Sequence, residues 1–109
     1  MRITIAPNPV QESALDIPGC GSDTPYRWRW DQILENTGSS AVSFTQRINF
    51  FDGVQVSAPS VSMTLSAGER HTQTTQWCSG ANTDHNFRTD WVLTGGARVT
   101  GPTVQLLRR

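Results

Sequence analysis

The chain contains no lysine: its nine basic residues are all arginine, and nine acids balance them to a formal net charge of zero over 109 residues. Phosphate backbones and anionic surfaces demand a concentrated positive field, so this balance argues against nucleic acid and membrane surfaces as partners. The lack of lysine itself reads as a composition bias and points to no function. No apolar run approaches the roughly 20 residues of a membrane span, so membrane insertion is not expected. Residues 1–10 hold one arginine and no continuous apolar stretch. No signal peptide is therefore visible, which leaves a cytosolic chain and a mature fragment both open. Also missing are G-x-S-x-G, H-E-x-x-H and a phosphate-cradling glycine loop, so no motif assembles an enzyme and no cofactor is implied.

What the sequence has is strand. Thirteen threonines and ten serines, with no convincing helical stretch, favour strand and loop over helix. The segment from Tyr26 to Gly53 is the clearest case. Residues 26–35 alternate, with Tyr26, Trp28, Trp30 and Leu34 on one face and Arg27, Arg29, Asp31 and Glu35 on the other. Residues 41–51 alternate again, which predicts Val42, Phe44, Ile48 and Phe50 inward and Ser43, Thr45, Arg47 and Asn49 outward. The polar N-T-G-S-S between the two runs predicts an antiparallel hairpin, and Asp52-Gly53 predicts a type I′ turn after it.

Further strands are expected at residues 2–6, an edge strand stopped by Pro7 and Pro9, and at 54–57, 60–66, 70–78, 86–94 and 97–107. The last is kinked at Gly101-Pro102, and residues 10–25 read as a long loop. Seven or eight strands with turns about every ten residues predict an all-β fold, a two-sheet antiparallel β-sandwich formed by residues 1–109 as one domain.

Cys20 and Cys78 are the only cysteines. As a disulfide they would stabilise the fold by about 4 kcal/mol in the chain-entropy model. Small secreted domains use cysteine in this way, and an oxidised pair would place the chain outside the cytoplasm. Two buried thiols in a cytosolic chain are the alternative. No C-x-x-C is present, His71 and His85 complete no zinc spacing, and Asp52, Asp84 and Asp90 lack a calcium-loop pattern, so no metal site is expected.

Trp77 shares a strand face with His71, Gln73 and Thr75, a polar set that reads as solvent-facing. That makes Trp77 the best candidate for an exposed aromatic, a platform for a sugar ring with His71 and Gln73 beside it. Burial of Trp77 beside Cys78 is the competing reading. Ser79, Asp84 and His85 contain the residue types of a hydrolytic set, but residues so close on one loop rarely converge.

Three stretches carry a family resemblance: E-N-T-G-S-S at 35–40, F-F-D-G-V-Q-V at 50–56 and L-S-A-G-E at 65–69. In their order and spacing, over roughly residues 28–77, the chain resembles bacterial immunoglobulin-like sandwiches, especially CARDB-type adhesion-related modules. More distantly it is similar to family 2 carbohydrate-binding modules. The resemblance implies an Ig-like sandwich and a non-catalytic extracellular or surface module, working in adhesion or assembly through a protein partner. A surface glycan bound through Trp77 is the alternative, and a viral or phage decoration protein is a variant of the first reading. None of these fixes the oligomeric state.

Overall fold

The computed structural model describes residues 1–14 and 19–109. Among the described residues there are ten strand segments: β1 (Arg2–Ala6), β2 (Val10–Gln11), β3 (Tyr26–Glu35), β4 (Val42–Phe51), β5 (Val54–Ser57), β6 (Ser60–Leu65), β7 (Arg70–Ser79), β8 (His85–Leu93), β9 (Arg98–Thr100) and β10 (Val104–Leu107). The first sheet has the order β1-β3-β7. The second has the order β2-β10-β8-β4-β5, with β6 also beside β4 and β9 also beside β8. The two sheets pack face to face as a β-sandwich, and every pair is antiparallel except β2 with β10. The segments outnumber the expected seven or eight because edge strands are interrupted. β5 and β6 share one side of β4, β9 and β10 share one side of β8, and the first strand changes sheet between β1 and β2.

Two expectations from the alternating runs are corrected. β3 and β4 are not a hairpin: β3 pairs with β1 and β7, while β4 pairs with β5, β6 and β8 in the other sheet. The N-T-G-S-S connection therefore crosses the sandwich, and Asn36 builds that corner. Asn36 is 1% exposed; its Nδ2 donates to the Ser40 and Leu65 carbonyls, and its Oδ1 accepts from the Gly38 N–H.

The second correction concerns the faces of β4. The register slips between Phe44 and Gln46, where Thr45 is an extra residue. A bulge of one residue turns every later side chain to the opposite face. Phe44 faces inward as expected, opposite Leu93, but beyond the bulge Arg47, Asn49 and Phe51 oppose Trp91, Thr89 and Phe87 on the inner face. Ile48 and Phe50 turn to the outer face, yet Ile48 is still buried there at 6% exposure, and the Arg88 guanidinium lies 4.4 Å from the centre of the half-buried Phe50 ring. The Asp52-Gly53 turn is as predicted, both residues having positive φ (49° and 81°).

The core is divided in two. Trp28, Trp30, Phe87, Val104, Leu106 and Val10 form one apolar cluster, and Leu34, Phe44, Leu65 and Trp91 form the other. Between them runs a polar layer to which each inner strand contributes. Gln32 Nε2 donates to Thr75 Oγ1 (3.1 Å) and Thr89 Oγ1 (2.9 Å), Thr89 Oγ1 donates to Asn49 Oδ1 (2.7 Å), and Asn49 Nδ2 donates to Ser57 Oγ (3.0 Å). Buried polar groups persist only when bonded, and this chain of bonds satisfies them from one sheet across to the edge of the other.

Candidate functional site

β7 is the outer strand of a three-stranded sheet that faces a wider one. Its pairing with β3 uses one edge along ten residues; among the described residues the other edge has no strand partner. Because no fourth strand among the described residues continues the first sheet past β7, these residues cover the inner face of β4, β5 and β6 only in part. A groove results along the inner side of β7.

The groove has two parts. The first, about 290 Å³, lies between residues 74–77 of β7 and Arg47, Asn49, Ser57 and Pro59, with Phe87 also lining it. The second, also about 290 Å³, lies between His71 and Gln73 of β7 and Val61, Ser62, Met63 and Trp91. The polar layer of the core thus surfaces in the first part through Thr75, Asn49 and Ser57.

Trp77, His71 and Gln73 do share one face of β7, but that face is turned inward and half-buried, so Trp77 follows the burial reading and is not an exposed platform. The reason is pairing. Trp77 sits opposite Trp28, whose indole is fully buried, and its ring packs 5.3 Å from the rings of both Phe51 and Phe87. Phe51 reaches that place only because of the β4 bulge. The outward residues are instead Thr72, Thr74 and Gln76, and there Thr74 Oγ1 donates to Asp31 Oδ1 and Arg29 donates to Gln76 Oε1. His71 and Gln73 contact each other at 3.4 Å in the apolar part of the groove.

Sequence reasoning missed Arg47. It is half-buried on the inner face, and its Nε has no hydrogen-bond partner among the described residues. The indole N–H groups of Trp30, Trp77 and Trp91 are in the same condition. All four orphaned atoms are donors. No spacing rule could have found Arg47, since simple alternation puts it on the wrong face.

Cys20 and Cys78 form a disulfide with Cα atoms 5.5 Å apart, fastening the loop before β3 to the end of β7. Residues 15–18 of the loop expected at 10–25 lie outside the described residues, and β2 occupies its beginning.

Ser79 and His85 come together, with Ser79 Oγ 3.4 Å from His85 Nε2, but the carboxylate on His85 Nδ1 is Asp52 at 2.7 Å rather than Asp84. Asp84 accepts the Arg108 backbone N–H. Ser79 and His85 are 7% and 5% exposed, the imidazole packs against Phe51 and Trp28, and the serine oxygen accepts the Ala81 N–H. In this closed arrangement the three side chains tie the β4–β5 turn to the start of β8 and the end of β7. Of the aspartates weighed for calcium, Asp52 serves His85 and Asp90 holds Arg88. No group of three potential metal ligands is clustered among the described residues.

No protein-family model matches the chain. No curated protein matches it either. Among solved structures, the X-ray structure of Northeast Structural Genomics Consortium target SoR45 is similar, with a TM-score of 0.67 over 96% of this chain and 86% of that one. The two are 12% identical, so the likeness concerns the fold alone.

Proposed function

We propose that this sandwich is a non-catalytic binding module that assembles with a protein partner by strand addition along β7. The observation that carries the reading is the second edge of β7, which has no strand partner among the described residues, beside an uncovered groove. Sandwiches ordinarily protect an edge by keeping it short or by placing proline and charge on it. β7 is ten residues long, has no proline, and carries Arg70 as its one charged residue. An extended segment paired to it would gain backbone hydrogen bonds and cover the groove with alternate side chains. The opposite lip has a related character: Val54 and Val56 on edge strand β5 are 65% and 40% exposed. The Cys20–Cys78 bridge favours an oxidising compartment, hence an extracellular or cell-surface site of action. Decoration of a virion surface is a variant of the same assembly role.

The polar lining of the groove favours a second reading, recognition of a surface glycan. That mode would rely on hydrogen bonds, because the Trp77 ring is packed against phenylalanines. Hydrogen exchange of the β7 amides, read by mass spectrometry with a panel of extended peptides and of oligosaccharides, separates the two. Strand addition predicts protection along residues 70–79 by at least one peptide. No protection by any peptide, with light scattering showing only monomer, would overturn it.

A further inference from the structure

We infer that Arg47 is the specificity residue of this groove and that the segment it accepts carries a carboxylate side chain. The inference rests on the strand-addition reading and names the chemistry of the partner. Arg47 reaches the inner face because Thr45 is an extra residue in β4, and it lines the part of the groove facing residues 74–77. An arginine needs partners for five N–H donors in a planar fork, and a carboxylate matches that fork with two parallel bonds. Among the described residues, none that lines that part is acidic and no ion pair involves Arg47. The acids of the neighbouring strands are engaged elsewhere: Asp52 with His85, Asp90 with Arg88, Asp31 with Thr74, and Glu35 with Arg2 and Arg70. The indole N–H of Trp77, which lines the same part of the groove, also lacks an acceptor among the described residues. The site therefore presents donors and asks for an acceptor bearing negative charge.

The other part of the groove sets a second requirement. From His71 to Trp77 the strand rises about 20 Å, the length of an extended segment of about six residues. Val61, Met63 and Trp91 make the far part apolar. Side chains of an added strand alternate between faces, so the acidic residue and an apolar one must be separated by an even number of positions to enter the groove together.

The test uses the full disulfide-bonded chain and fluorescein-labelled peptides of about ten alternating threonine and valine residues, long enough to span β7. The inward position near Arg47 is glutamate, glutamine or lysine. Fluorescence anisotropy gives the affinities, and exchange at residues 70–79 reports strand pairing. The glutamate peptide should bind the wild type roughly tenfold or more tighter than the glutamine peptide. Arg47→Gln should erase that preference, and Arg47→Lys should keep part of it. If Arg47→Gln does not fold, the wild-type glutamate-to-glutamine ratio and Arg47→Lys still decide. Equal binding of the two peptides, with β7 protected, overturns the role of Arg47 and leaves strand addition standing. Binding of an oligouronate with no binding of any peptide overturns both readings.

Discussion

Thr89→Val tests whether the polar layer holds the sandwich together. Thr89 is 2% exposed and its hydroxyl is the node between the sheets, accepting from Gln32 at 2.9 Å and donating to Asn49 at 2.7 Å. Valine has nearly the same shape, so cavity terms stay small and the change isolates the hydroxyl. Two hydrogen bonds are lost, each worth about 1 kcal/mol net, and one amide hydrogen of buried Gln32 is left without its acceptor. The added methyl recovers part of this through burial, about 0.8 kcal/mol at most. The expected cost is about 2–3 kcal/mol, a large part of the roughly 5–15 kcal/mol that holds a domain folded. Urea unfolding followed by tryptophan emission measures it, since Trp28, Trp30 and Trp91 are buried. The cycle with Gln32→Leu sharpens the test. With the amide already removed, Thr89→Val should cost only about 1 kcal/mol, because the Asn49 bond alone is lost and no Gln32 amide remains to be orphaned. The two sites should thus be coupled by about 1 kcal/mol or more. A single-mutant cost below about 0.5 kcal/mol, or additivity within that margin, would refute the reasoning.

Asn36 offers a test by charge rather than by loss. Its amide donates to two carbonyls, so Asn36→Asp sets a carboxylate against both, and it should destabilise more than the roughly 3 kcal/mol expected of Asn36→Ala; chemical unfolding showing the aspartate variant as the milder would contradict the assignment. Reduction of Cys20–Cys78, which closes a separation of 58 residues, should lower stability by about 4 kcal/mol, read as a shift of the urea midpoint between oxidised and dithiothreitol-treated protein. A shift equivalent to less than about 1 kcal/mol would show that the fold does not depend on the tie.

Much of the sandwich could be read along the chain because strand alternation is a local signal. Trp28, Trp30 and Leu34 turned inward as their spacing requires, while Arg29 and Asp31 found partners on the outer face in Gln76 and Thr74. The Asp52-Gly53 turn was equally local. What alternation cannot supply is the identity of a strand's neighbour, so two adjacent runs looked like a hairpin when they belong to opposite sheets. It also cannot register an inserted residue. Counting by twos from Phe44 reaches Ile48 and Phe50, whereas the bulge at Thr45 sends Arg47, Asn49 and Phe51 inward. For Trp77 the sequence signals conflicted, its polar strand companions suggesting exposure and its place beside Cys78 suggesting burial, and the partners brought from β3, β4 and β8 bury it.

The failure at β4 has physical content. A chain selected for stability alone would put Ile48 and Phe50 against the core and leave Arg47 and Asn49 in water, as hydrophobic patterning favours. This chain turns Arg47 and Asn49 to the inner face while Ile48, on the outer face, stays buried at 6% exposure, and it does so beside β7, whose second edge has no strand partner among the described residues. Orphaned donors there cost stability, and the two apolar clusters at either end tolerate that cost because each is closed by its own tryptophans. Conflicts between local pattern and global fold concentrate where structure serves something other than folding. The polar layer gives the conflict a direction, since its hydrogen bonds run from Gln32 through Thr89 and Asn49 to Ser57 and end at the groove. A partner's carboxylate on Arg47 would meet the donor the fold leaves unsatisfied, so the bulge that weakens the free module is the element that would make its complex selective.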